Sequence, residues 1–465
     1  MFDDAPAPPM ALPPEAPAGP ALVAAWVQTM ARTSDRALDR QDDGELVDLL
    51  RHLEELKCAA EALQGRAALA LDRSVRAEEQ RRGLPEERQG RGVAAQVALA
   101  RRESPARGRH HLGLAKVLPA ELPHTTEAFR RGRISEWRAT LVARETGGLS
   151  REDRERVDAE LAADPDRLES MGDRELVATA QRLSYRLDPQ SAVVRRRRGE
   201  SERRVSLRPA PDLMSQLSAL LPVKDGVAVV ATLSREADSL IATGDGRGRG
   251  QIMADTLVDR VLGRTPLAWS QPTTPAASAQ DRGTLEPGPD VGVDDVDVLL
   301  HVVVTDDVLL GTASGSAHLD GYGPIPGDLA RELVGERTWV RRLYVRPGAG
   351  HLVAADSRAR RFPRRLAQLV RLRDQRCRTP WCDAPIRTTD HIRAVADGGP
   401  TSLSNGQGLC EACNYAKEAP GFTARARPGP RHTTQTTTPT GHRYVSVAPP
   451  LLEGTDASAP PARSP

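Results

Sequence analysis

Four cysteines late in the chain have the spacing of a metal site. Cys377 and Cys382 enclose four residues, Cys410 and Cys413 enclose two, and a loop separates the pairs. Paired thiolates at these intervals suit a tetrahedral structural Zn²⁺. The only other cysteine, Cys58, lies far upstream on a helical stripe, where it packs as a small hydrophobe. Between the cysteine pairs stand Asp390-His391 and Asn405, and Asn414 follows the last cysteine directly. If zinc joins the pairs, it gathers these polar groups into one small volume. Phosphodiester hydrolysis needs a base to activate water and a cation to balance charge on the leaving oxygen. His391 is a base that titrates near neutral pH. Asp390 and Asn414 offer hard oxygen ligands, which suit Mg²⁺ or Mn²⁺ and leave the thiolates to Zn²⁺.

The segment CRTPWCDAPIRTTDHIRAVADGGPTSLSNGQGLCEACNYAKEAPGF, residues 377–422, resembles the HNH endonuclease domain of the ββα-metal class with flanking cysteine pairs. The features that carry the resemblance are Asp390-His391, Gly398-Gly399, Asn405, Cys410, Cys413, Asn414 and Lys417. The resemblance implies that His391 is the general base on the first strand of a hairpin. It implies that Asn405 holds the loop that orients His391, that Asn414 shares the catalytic metal with Asp390, and that Lys417 touches phosphate. The chain departs from the family at Asn414, where the last letter of the family name calls for His. Asn keeps an oxygen ligand and favours Mg²⁺ or Mn²⁺ over zinc as the catalytic ion. Upstream, SERRVSLRPAPDLMSQLSALLP, GRGQIMADTLVDRVL and LDGYGPIPGDLARELV resemble DUF222, a large helical domain of unknown function. That resemblance implies an architecture and no mechanism.

The elements that must position these residues follow from periodicity. Residues 1–20 are Pro/Ala-rich and expected to be disordered, and helices run through a domain at 21–264. Leu46, Leu49, Leu50, Leu53, Leu56, Ala60 and Leu63 form one apolar stripe on a long helix. Helices near 91–102 and 104–118 have the geometry of a helix-turn-helix, the second opening on Ser104-Pro105. A strand is expected at Arg204–Leu207 and a helix over Asp212–Leu221. The glycines of GDGRGRG, 244–250, lack the Lys-Ser/Thr of a phosphate-binding loop. Residues 265–293 read as a linker, and 294–370 continue the DUF222-like region with short strands. The nuclease occupies 371–422, and the Thr/Pro-rich tail 431–465 is expected to be disordered. The fold class is therefore a mainly α N-terminal region followed by a small ββα-metal domain.

Composition bounds the partners. The net charge of +2 is nearly neutral, but Arg358–Arg378 holds nine arginines and one acid. Arg371, Arg373, Arg376 and Arg378 abut the motif, and with Lys417 they are expected to contact the backbone of double-stranded DNA. A second basic run, Arg195–Arg198, reads as either a backbone contact or a solvated face. No apolar stretch is long enough to span a membrane, and the acidic, Pro-rich start is unlike a secretory leader, so a cytoplasmic location is expected. The reading is a DNA endonuclease using Zn²⁺ for structure and Mg²⁺ or Mn²⁺ for catalysis. The alternatives are a non-catalytic DNA-binding protein stapled by zinc, or a nuclease acting on RNA or branched DNA.

Overall fold

The computed structural model describes residues 19–263, 301–313, 315–333, 345–346, 351–352 and 362–450. Its N-terminal region is mainly helical, and small antiparallel sheets gather toward the C-terminus. The long helix Asp43–Arg81 starts at a capping box, in which Asp42 accepts from the Glu45 amide and Glu45 from the Asp42 amide. Helices Pro105–Glu121, Glu136–Glu145 and Arg151–Ala162 each begin on a serine that caps a free amide. Their apolar faces meet in one core around Leu122, Ile134, Leu161, Leu168 and Leu176, all almost fully buried. Buried Asp158 accepts from the amides of His124 and Thr125. It thereby satisfies free N–H groups at the start of helix Pro123–Arg130, where an anion is also favoured by the helix dipole.

His111 lies in this domain between two carboxylates, Glu136 at Nδ1 and Glu103 at Nε2. Arg101 faces Glu136, and Arg107 approaches Glu103. Burial pulls the imidazole pKa down, but the hydrogen bond and charge of Glu136 outweigh it, and the net shift is upward. A neutral imidazole has one N–H and can donate to only one of the two acids. The stabilisation is complete below the unfolded value of about 6.5 and is lost as pH rises through the higher folded value. The melting temperature should therefore fall across that window in the native chain and stay flatter in His111→Gln. Parallel pH profiles for the two proteins would contradict this role.

Several expectations are corrected. The segment read as a helix over Asp212–Leu221 is a strand, Ser215–Leu220, paired antiparallel with Arg204–Pro209. Asp212 and Leu213 turn the chain in the left-handed region, at φ 59° and 61°. The Arg195–Arg198 run lies within helix Pro189–Ser201. The tail expected to be disordered from 431 supplies two strands, Thr433–Thr437 and Arg443–Val447, which join Thr423–Arg427 in a three-stranded antiparallel sheet. Threonine is β-branched and fits a pleated sheet, and Thr434 and Gln435 are buried there. The linker 265–293, residues 294–300 at the start of the region expected to hold short strands, and the residues beyond 450 lie outside the described residues.

Helix Gly327–Glu332 packs on a small sheet of strands Val302–Val303, Ser316–Leu319 and Gly323–Pro326. Strands Val345–Arg346 and His351–Leu352 form a separate pair. Helix Arg364–Asp374 then leads into the cysteine segment.

Candidate active site and zinc centre

Strand Thr388–His391 pairs antiparallel with Gly406–Leu409, and helix Glu411–Lys417 follows at once. The order is hairpin, then helix. Cys410 is the N-cap of that helix, with its sulfur 3.4 Å from the Cys413 amide. One tight cap thus places two of the four sulfurs. The ligand atoms of Cys377, Cys382, Cys410 and Cys413 all lie within 4.8 Å of one another, and all four residues are buried. Hydrogen bonds from Cys382 and Cys413 hold the Cys377 thiol low, at about 2, while the same contacts push those of Cys382 and Cys413 up. Four sulfurs so close, with no cationic side chain among the ligands, could hold a dication, which binds the thiolate forms and displaces their protons. The donor set fits Zn²⁺.

Asp374 supports this module from inside. Fully buried at the end of helix Arg364–Asp374, it pairs with Arg373 at 2.7 Å and accepts from the Gly408 amide at 2.7 Å. Arg378 approaches it at 3.7 Å and donates to the carbonyls of His432 and Ser446, at 3.0 and 2.7 Å. Arg373 also donates to the carbonyls of Leu403 and Gly406. Arg373 and Arg378 are therefore committed inside the domain and do not offer their guanidinium groups to a ligand. Arg371 and Arg376 are exposed. The buried pair ties the C-terminal sheet to the cysteine module, which explains why residues 433–447 form strands.

His391 ends the first strand and is 8 % exposed. The Phe362 ring lies 4.5 Å from its imidazole, and Nε2 is 2.9 Å from Thr401 Oγ1. When the threonine oxygen accepts from Nε2–H, the lone pair that takes a proton is on Nδ1. Burial lowers the imidazole pKa; Asp390 raises it and Lys417 lowers it again, leaving it below the usual value. Asn405 stands at the start of the second strand. Its carboxamide oxygen accepts from the Arg393 amide at 2.9 Å, and its nitrogen donates to the carbonyls of Arg393 and Pro400, at 3.0 and 2.8 Å. Asn405 thus clamps both ends of the loop that leaves His391. Gly399 is required there, because a Cβ would fall 1.9 Å from the Arg393 carbonyl oxygen and 2.9 Å from the Asn405 carboxamide nitrogen.

Asp390 Oδ2 is buried and accepts no hydrogen bond. Its charged neighbour is the Lys417 ammonium, an ion pair rather than an aligned hydrogen bond. Lys417 also donates to the His391 carbonyl at 2.7 Å, which holds the side chain against the end of the first strand. That ammonium sits on the same Oδ2, so the carboxylate, a hard oxygen donor of the kind Mg²⁺ and Mn²⁺ take, would ligate a cation with Lys417 beside it or displaced. Asn414 is half-buried on the adjoining helix and offers a second oxygen ligand from the family pattern.

Sequence reasoning did not single out Thr401, Phe362 or Asp374. Thr401 carried a weak signal, since it follows the Gly-Gly-Pro of the loop. Phe362 and Asp374 carried none, because their roles depend on the packing of helix Arg364–Asp374 against strand Gly406–Leu409.

This hairpin and helix, joined through four cysteines, define an HNH module, and residues 375–419 match the HNH endonuclease family model. The chain belongs to the DUF222 family, described as a domain of unknown function, whose model matches residues 50–374. No curated protein and no solved structure matches the chain.

Proposed function

We propose that this protein is a metal-dependent endonuclease that hydrolyses DNA phosphodiester bonds through one Mg²⁺ or Mn²⁺ ion, with Zn²⁺ as its structural metal. The observation that carries the reading is the pair Asp390-His391 at the end of a strand, oriented by Thr401 and the Asn405 clamp. His391 accepts a proton from water as the water oxygen attacks phosphorus in line. The bond from phosphorus to the 3′-oxygen breaks, leaving a 5′-phosphate and a 3′-hydroxyl, and the leaving oxygen takes its proton from solvent. Asp390 and Asn414 hold the metal, which when bound supplies positive charge against that developing on the leaving oxygen. Exposed Arg371 and Arg376 flank the module and suit duplex backbone contacts. Lys417 reaches phosphate if its bond to Asp390 yields. Zinc at the cysteines keeps the hairpin and helix together and takes no part in the chemistry.

The metal assignment is tested by Mn²⁺ binding to zinc-loaded protein, followed by electron paramagnetic resonance. One Mn²⁺ per chain should bind, with affinity down roughly 10- to 100-fold in Asp390→Asn, since a neutral ligand replaces a charged one. Equal affinity in the two proteins would place the ion elsewhere.

A further inference from the structure

The site helix Glu411–Lys417 has only two turns, too short to hold its shape unaided. The cysteines fix its first turn. Its second half, which begins with Tyr415 next to Asn414, meets the helical domain. Arg91 stacks its guanidinium 3.7 Å from the centre of the Tyr415 ring. Its Nη2 also lies 3.3 Å from the Tyr415 carbonyl, one of the carbonyls left free at a helix end, where a cation is also favoured by the dipole.

Gly92 follows at φ 96°, and a Cβ there would come 2.8 Å from the Ala419 Cβ and 2.9 Å from the Phe422 ring. The backbone that opens helix Val93–Arg101 therefore lies directly against the segment leaving the site helix. One helical turn on, Gln96 accepts from the Thr440 hydroxyl at 3.1 Å, so the contact extends to the C-terminal sheet. Ala95, Leu99 and Pro105 face Cys413, Ala416 and Phe422 across a shared cavity. The helix pair that resembles a helix-turn-helix in sequence thus packs against the nuclease module.

We propose that the helical domain is a working part of the nuclease: Arg91 and Gly92 dock it on the site helix and fix the position of Asn414 for the catalytic metal. Arg91 is a positioning residue in this scheme, since it touches Tyr415 and not the reacting atoms. The metal half of the inference rests on the endonuclease reading above; the docking half does not.

The test uses the full zinc-loaded chain with Arg91→Ala and, separately, Gly92→Leu, which wedges the two surfaces apart. Amide hydrogen exchange is followed at residues 411–417, and Mn²⁺ affinity is measured beside it. Both variants should exchange faster at the site helix and bind Mn²⁺ roughly 2- to 30-fold more weakly, with zinc content unchanged. Arg91→Ala keeps the test valid if Gly92→Leu misfolds. Unchanged exchange at 411–417 in both variants would overturn the docking. Faster exchange with native Mn²⁺ affinity would overturn the positioning of Asn414. Faster plasmid cleavage by either variant would also overturn it, showing a restraint in place of a support. A native chain that binds no Mn²⁺ while its variants still exchange faster would sink the endonuclease reading and leave the docking standing.

Discussion

His391→Ala is expected to lower the rate of plasmid cleavage by about 10²- to 10⁴-fold, the range typical of losing a positioned general base. The side chain is the one titratable group at the strand end whose ring is held from two sides, by Phe362 and by Thr401. Removing it leaves the four cysteines and the Asn405 clamp untouched, so zinc content and DNA retention by gel shift should be native. His391→Ala cleaving at the native rate would remove His391 from the chemistry. Loss of zinc together with activity would mean that the histidine is needed for folding, and the base would have to be sought elsewhere.

Cys410→Ser should have the second large effect, on structure before activity. Cys410 serves the cluster twice, as one of its four sulfurs and as the N-cap of the site helix. Outside the cysteines, the buried apolar residues of this cluster reduce to Leu409, too little to hold a small module. Structural zinc in comparable small domains supplies about 10–16 kcal/mol of apparent binding free energy, which is then folding free energy. Loss of the ion should abolish protection from proteolysis across residues 375–450 while the helical core around Leu122 and Leu176 stays folded. Treatment of the native chain with a strong zinc chelator should reproduce the result. A chelated protein with unchanged protection in that segment would show that the cysteines act as an ordinary buried cluster.

What the sequence made legible is what depends on short spacing. The spacing of Cys377, Cys382, Cys410 and Cys413 reads as one metal site, and the four sulfurs lie together. Asp390, His391, Asn405 and Asn414 were placed on a hairpin and helix through resemblance, and those elements are where the chain puts them. The helices of residues 93–187 were visible, apart from the short Pro165–Ser170, because their apolar positions recur at helical steps between clear breakers such as Pro105 and Pro165. What failed depends on partners distant in sequence. The Thr-rich tail reads as low complexity until Arg378 and Asp374, more than fifty residues earlier, are seen to anchor it. Arg373 and Arg378 read as phosphate ligands because charge near a nuclease motif does not reveal which guanidinium is turned inward. Tyr415 had no assignable role on sequence alone, since its partner Arg91 lies 324 residues away.

The measurement closest to the central claim is conversion of supercoiled plasmid by purified zinc-loaded protein, with Mg²⁺, with Mn²⁺ and with EDTA at a level that leaves the zinc in place. Nicked or linear DNA carrying 5′-phosphate ends should form with either ion and disappear with EDTA. Intact plasmid under all three conditions, from a protein that holds one zinc and still retards DNA on a gel, would contradict the endonuclease and leave a zinc-stapled DNA-binding module.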